Sequence, residues 1–193
     1  LEKALGNGDP ETIDLAVRKI LLMQAHSFFL GGLPMIFYGD ESGHINDYSY
    51  LQEEGKSYDN RWMHRPVIDW NKQKKLDQPG TVENRVFRGT QQLIAIRRKI
   101  PFLSDRRNLT WLTPHNIHVA GYLRAWDKDR VYCLFNFSDR EQFLTWYIFR
   151  ENGLAPSRLF DHWSGAYLDV KSDREYLVLQ PYSFLILEPV PAV

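Results

Sequence analysis

The spacing of apolar positions changes character near residue 105. Before that point they recur at helical intervals; after it they gather in short runs rich in aromatic and β-branched side chains. Residues 10–30 are predicted as a helix. Pro10 suits a first-turn position, where its missing N–H would have no partner anyway. Glu11 and Asp14 complement the positive end of the helix dipole. Ile13, Leu15, Ala16, Ile20, Leu21, Met23, Phe28 and Leu30 then form a stripe broad enough to imply burial on more than one side. Gly31 and Gly32 end it.

The next run, Leu33–Tyr38, is apolar without alternation. It reads as a strand buried on both faces, as in a parallel sheet. Gly39-Asp40-Glu41 lies at its C-terminal end. Residues 42–80 are polar and show little periodicity, a stretch too long for a simple connector. Trp62, Pro66 and Trp70 favour an ordered loop there. Residues 81–99 are predicted as a second helix, with Val86, Phe87, Leu93, Ile94 and Ile96 on its apolar face. Arg97, Arg98 and Lys99 occupy its last turn, and Pro101 ends it.

Six strands are expected beyond residue 105: His115–Trp126, Arg130–Ser138, Gln142–Phe149, Arg158–Asp161, Glu175–Leu179 and Tyr182–Glu188. Asp127-Lys128-Asp129 reads as a hairpin turn and Trp163-Ser164-Gly165 as another turn. Such a run of strands makes an antiparallel sheet or sandwich. In the first half, one strand buried on both faces cannot be satisfied by two helices. Helix, strand, long loop and helix is the order of the last repeat of a (β/α)8 barrel. The active site of such a barrel lies on the loops after its strands, and residues 39–80 would be the eighth of these. The chain has no initiator Met and reads as the tail of a larger enzyme.

Composition narrows the function. Lys plus Arg and Asp plus Glu are 24 each, so the net charge is zero. A nucleic-acid partner needs clustered excess cations, and an electrostatic membrane anchor needs the same. No apolar run approaches the length of a membrane span. One cysteine, Cys133, excludes an internal disulfide and any multi-cysteine zinc site. Aromatic residues reach 14%, which raises the question of sugar stacking.

Two segments carry a resemblance. Gly31-Gly32-Leu33-Pro34-Met35-Ile36-Phe37-Tyr38-Gly39-Asp40-Glu41 resembles the eighth-strand motif of the α-amylase family of glycoside hydrolases. Lys56-Ser57-Tyr58-Asp59-Asn60-Arg61-Trp62-Met63-His64-Arg65-Pro66 is similar to amylosucrases and their sucrose-hydrolysing relatives, and Asn46-Asp47 lies between at a matching position. The likeness continues through Gln91–Arg98, Asn136-Phe137-Ser138 and Leu179-Gln180-Pro181-Tyr182. It implies an α+β fragment. Residues 1–104 would be the last helix–strand–loop–helix portion of a (β/α)8 TIM barrel. Residues 105–193 would be an all-β antiparallel C-terminal sandwich. It also implies a retaining enzyme acting on sucrose and α-glucan, by glucosyl transfer or hydrolysis, without an organic cofactor or catalytic metal.

A retaining glycosidase needs two carboxyl groups about 5–5.5 Å apart. The resemblance places the nucleophile, the acid/base and a third aspartate after barrel strands four, five and seven. All three precede Leu1, so no catalytic residue is expected in this chain. Asp40 and Glu41 are adjacent, and neighbours in extended chain point to opposite faces. They are expected to cap the strand end. Asp47, Glu53, Glu54 and Asp59 read as loop charges in solvent. Arg61 is the expected substrate-binding residue. At the matching position in amylosucrase-like enzymes an arginine pairs with an aspartate from an early strand and contacts sugar hydroxyls. A planar fork of donors suits both partners. The alternative is a surface arginine in a structural loop.

His64, Arg65 and Pro66 are expected to fix the loop, and His26 to pack in the core. His44, His115, His118 and His162 show no metal-ligand spacing. Trp62 and Trp70 could stack on a sugar. Trp111, Trp126, Trp146 and Trp163 fit sheet packing better than a starch-binding surface. Cys133 reads as a buried small hydrophobe. The competing reading of the whole is a stand-alone carbohydrate-binding β module. Under the enzyme reading, the apolar faces of residues 10–30 and 33–38 need cover, and the isolated chain self-associates.

Overall fold

In a computed structural model, residues 1–105, 107–153 and 155–191 are described. The helices, in chain order, are α1 (Glu2–Asn7), α2 (Pro10–Leu30), α3 (Trp70–Gln73) and α4 (Val82–Lys99). α2 covers the range its periodicity predicts, and α4 begins one residue later than expected. α1 and α3 are too short to show a helical period. The chain divides into two compact units. One comprises Leu1–Ile20 with Met35–Thr90, the other Leu21–Pro34 with Gln91–Val193.

The expected buried strand at Leu33–Tyr38 does not form. Among the described residues no strand pairs with this run. Leu33 is 89% exposed and Met35 88%, and Ile36, Phe37 and Tyr38 are exposed as well. A strand exists only through ladder bonds to neighbours, and the described residues supply none here. The broad stripe of α2 is likewise buried on part of its circumference. Of the expected stripe only Phe28 is fully buried, while Met23 and Leu30 are exposed; the buried face is Val17, Leu22, Ala25, Phe28 and Phe29.

The second unit carries the strands: β1 (Leu109–Trp111), β2 (Val119–Trp126), β3 (Asp129–Asn136), β4 (Gln142–Thr145), β5 (Arg158–Asp161), β6 (Tyr167–Asp169), β7 (Tyr176–Leu179) and β8 (Phe184–Pro189). They form a six-stranded sheet in the order β1-β2-β3-β8-β5-β6 and a two-stranded sheet of β4 and β7. Every pairing is antiparallel. The β2–β3 hairpin turns through Asp127-Lys128, with Trp126 opposite Asp129 and Asp127 at φ 52°. Several boundaries differ from expectation: β3 starts one residue earlier and ends two earlier, β7 starts one later, and β8 starts two later and ends one later. The first long strand starts at Val119, because the chain before it turns at His115 with φ 50°. Residues 142–149 split into β4 and a 3-10 turn, Trp146–Phe149. β1 and β6 are three residues each, too short to show a period.

Alternation explains the layering. On β3, Val131, Cys133 and Phe135 pack with Leu22, Ala25, Phe28, Leu93 and Ile96 from the helices. Tyr132 and Leu134, pointing the other way, pack with Leu144, Trp146, Phe149, Leu177 and Leu179. β8 divides similarly, with Ile186 in the first cluster and Leu187 in the second. The six-stranded sheet is therefore the middle layer of this unit, buried on both faces. Cys133 is wholly buried, and burial pushes its thiol pKa up. That matches its reading as a small hydrophobe.

Polar side chains tie the layers together. Arg124, on β2, is fully buried. Its guanidinium donates to the carbonyls of Phe29 (3.1 Å) and Leu30, and to those of Leu103 (3.4 Å) and Asp105. Its Nε donates to Asn108 Oδ1 at 2.8 Å. Arg97 donates to the carbonyls of Phe28 and Gly32. The last carbonyls of a helix have no partner within it, and cations favour that end of the dipole. Two arginines thus cap α2. Gly31 is required beside them: its φ is 129°, and a Cβ there would stand 2.8 Å from Arg124 Nη1.

Asn136 joins two of the family-like segments. Its Nδ2 donates to Leu179 and Gln180 carbonyls at 3.2 and 2.9 Å, while its Oδ1 accepts from Ser138 N at 2.9 Å. Asp161 holds the β5–β6 turn, accepting from the backbone N–H groups of Trp163, Ser164 and Ile186.

His26 packs edge-on against Phe135, with ring centroids 5.1 Å apart. Burial lowers its pKa below the ordinary value of 6.5. The unfolded chain then takes up a proton more readily than the folded one. The stability from neutral His26 is complete above the unfolded pKa and is lost as pH falls through it toward the folded value. Thermal midpoints are expected to drop as pH falls below the ordinary histidine value of 6.5, and His26→Gln to shrink that drop. An unchanged pH slope in the variant would contradict this.

Candidate functional site

The long loop of the first unit is built from short turns that pin themselves. Gly39 starts it in a left-handed conformation, φ 94°. Its carbonyl accepts from Ser42 N (3.1 Å) and His44 N (3.0 Å). A Cβ at Gly39 would lie 2.6 Å from His44 Nδ1, so the turn excludes larger residues. Asp40 and Glu41 serve this turn: Glu41 Oε2 accepts from Gly39 N at 2.8 Å and Asp40 Oδ2 from Phe37 N at 3.3 Å. Since Leu33–Tyr38 is not a strand here, they cap a turn and not a strand end.

The loop then folds back on itself. Asp47 N donates to the Met63 carbonyl at 2.9 Å, and His64 Nδ1 lies 3.2 Å from Asn46 Oδ1. The Asn46-Asp47 pair and the Arg61-to-Pro66 segment, separate in sequence, are thereby adjacent. Asp47 also accepts from Ser49 N at 2.9 Å, and hydrogen bonding from the Ser49 side chain, then its backbone, lowers the Asp47 pKa. Glu53 pairs with Lys56. Asp69 caps α3 by accepting from Asn71 N and Lys72 N, and these bonds lower its pKa.

Arg61 sits in a 3-10 turn, Asn60–His64, whose N-cap is Asp59. Asp59 Oδ1 accepts from Arg61 N at 3.0 Å and from Nε at 2.9 Å, and Oδ2 accepts from Nη2 at 2.7 Å. These bonds hold the Asp59 carboxyl at about 2 and raise the pKa of Arg61. The Arg61 side chain is 72% exposed, while that of Asp59 is 17% exposed. Together with Tyr50, Ser57, Tyr58 and Asn60 they line a shallow cleft of about 510 Å³.

Trp62 is engaged already. Lys56 Nζ lies 5.0 Å from its ring centroid and Arg65 Cζ 6.0 Å. Trp70 is exposed at the start of α3. His64 and Arg65 both make contacts inside the loop, as their structural reading expects. His44 Nε2 is buried without a hydrogen-bond partner among the described residues. It borders a second hollow of about 160 Å³ lined by Asn46, Asp47, Asp69 and Lys72.

In the second unit, Trp146 is buried and Trp163 half-buried against Phe184, whereas Trp111 and Trp126 are exposed. The sheet-packing expectation therefore holds for the first pair and in part for Trp111, whose ring meets that of buried Tyr122 edge-on at 5.6 Å, but not for Trp126. His162 Nε2 lies 2.8 Å from Glu188 Oε2. Among the described residues no three His, Cys, Asp or Glu side chains converge as a metal site. Also among them, no helix is long and apolar enough to cross a membrane. Sequence reasoning missed the polar ties Arg97, Arg124, Asn136 and Asp161. Arg124 had a signal: it is the one charged residue in an otherwise apolar stretch, Val119–Trp126.

No family model matches the chain. Solved structures do match its fold. The crystal structure of an α-amylase from Geobacillus thermoleovorans, complexed with acarbose, is 18% identical with a TM-score of 0.63. The match covers 92% of this chain and 34% of that one. AmyP in complex with maltose is 18% identical, TM-score 0.66, over 96% of this chain and 37% of its own. The pullulanase from Anoxybacillus sp. LM18-11 is 17% identical, TM-score 0.62, over 96% and 24%. The chain thus spans between a quarter and somewhat over a third of these proteins' length. At such identities the likeness is one of fold: the chain is folded like part of an α-amylase-type glycoside hydrolase.

Proposed function

We propose that this chain is the C-terminal part of a retaining enzyme of amylosucrase type, moving a glucosyl unit from sucrose to an α-glucan or to water. Residues 1–104 complete a (β/α)8 barrel, and residues 105–193 form the β-sandwich that follows it. The catalytic carboxylates are carried on strands outside this chain. The observation that supports this most is the bare apolar run Leu33–Tyr38. Leucine and methionine so fully exposed, in a segment without ladder partners among the described residues, are what a barrel strand looks like when its neighbours come from elsewhere. The loop that follows holds Arg61 at an open cleft, as a substrate loop at the C-terminal end of a barrel strand would. The sugar-acting names of the matched structures point the same way.

The test compares two proteins, the 193-residue chain and the longer product of the reading frame that contains it. The longer product is expected to release fructose from sucrose. The 193-residue chain is expected to release none and to self-associate through residues 33–38 in light scattering. Sucrose cleavage by the short chain, or a long chain inert toward both sucrose and α-glucan, would overturn the proposal. The exposed Trp111 and Trp126 favour the second reading, a carbohydrate-binding β module. Retention of the short chain on amylose, lost in Trp126→Ala, would support that reading instead.

A further inference from the structure

We propose that Asp59 is a positioning residue for Arg61, gripping one edge of its guanidinium so that the other edge is presented to a pair of vicinal sugar hydroxyls. This rests on the reading of Arg61 as a substrate ligand.

The geometry carries it in three steps. First, the grip is on the side of the fork. Asp59 takes Nε–H and one Nη2–H, which leaves both Nη1 hydrogens and the second Nη2 hydrogen directed away. Those donors match two neighbouring hydroxyl oxygens. Second, the same carboxylate caps the turn by accepting Arg61 N, so backbone and side chain are referenced to one group. Third, the pair lies at the surface with its cation outermost. Asp59 is the less exposed of the two while Arg61 faces the cleft, and among the described residues the Arg61 side chain has no other acceptor.

Fixing a long side chain before its ligand arrives removes entropy that binding would otherwise have to spend. The ion pair also persists throughout the range in which proteins work, because the Asp59 carboxyl stays ionised down to about pH 2. No titration of Asp59 should then enter the pH profile.

The experiment is made on the longer product, with sucrose as donor. It compares Asp59→Asn, Arg61→Ala and the double variant. Asparagine keeps one oxygen for the Arg61 N–H and thus the turn, but it cannot grip the fork as an ion. Asp59→Asn is expected to raise KM roughly three- to tenfold, with kcat within about twofold and the thermal midpoint within about 2 °C. In the double variant KM should be no worse than in Arg61→Ala, since the grip has nothing left to hold. An unchanged KM in Asp59→Asn, with KM raised in Arg61→Ala, would refute the positioning role and leave the Arg61 reading standing. A silent Arg61→Ala would remove that reading, and this inference with it. A lowered midpoint accompanied by loss of kcat would assign Asp59 to the fold and overturn the proposal. Should Asp59→Asn not fold, Asp59→Glu, which keeps the charge, decides between the same outcomes.

Discussion

Arg124→Ala is expected to lower stability by about 3–5 kcal/mol, read as a fall in the urea midpoint. The side chain is fully buried, and its guanidinium is the partner of carbonyls from three places in the chain. Phe29 and Leu30 end α2, Leu103 and Asp105 follow α4, and Asn108 leads into β1. Removing the fork strands those acceptors away from water, and each stranded acceptor costs about 1–3 kcal/mol. A cavity is left as well. Arg124→Met separates the two losses. It refills most of the volume but offers no donor, so it should recover only the cavity share. A cost below about 1 kcal/mol in Arg124→Ala would mean that the helix end finds water or another donor.

Arg61→Ala is expected to reduce kcat/KM for sucrose by roughly ten- to a hundredfold in the longer product, the size of one or two lost hydrogen bonds to a charged donor. Stability should hardly change, because the guanidinium is mostly in solvent and its pair with Asp59 is a surface pair. Arg61→Lys should not restore activity. An ammonium cannot accept the side-on grip of Asp59 and still present a flat edge to two hydroxyls. Wild-type kcat/KM in Arg61→Ala would leave Arg61 as a loop residue and would move the sugar contacts elsewhere on the chain.

The parts of the fold that were legible are those with a long period. α4 shows it in Val86, Leu93 and Ile96, and β2 and β3 in their alternating faces; the range of α2 was legible, but of the stripe read from its sequence only Phe28 is fully buried, the face that packs being Val17, Leu22, Ala25, Phe28 and Phe29. The short pieces β1, β6, α1 and α3 carry too few residues for any period. Leu33–Tyr38 shows a different limit. Its composition states what environment it needs, but pairing belongs to the neighbours, and none is present among the described residues. At the site, the motif around Arg61 was visible in the sequence. Its grip by Asp59 was not, because a neighbour two residues away in a loop has no fixed geometry until the turn is known. The contact between Asn46 and His64 was hidden for the same reason. Arg124 could have been flagged as a charge inside a buried strand, though its partners, the end of α2 among them, lie far along the chain.

The most direct measurement is the nucleotide sequence immediately upstream of the Leu1 codon in the source gene. An open frame is expected to continue for several hundred codons, with Asp and Glu placed at the ends of successive predicted strands, and a His-Asp pair near the last of them. A start codon directly before Leu1 would contradict it, because the bare run Leu33–Tyr38 would then have no barrel to complete.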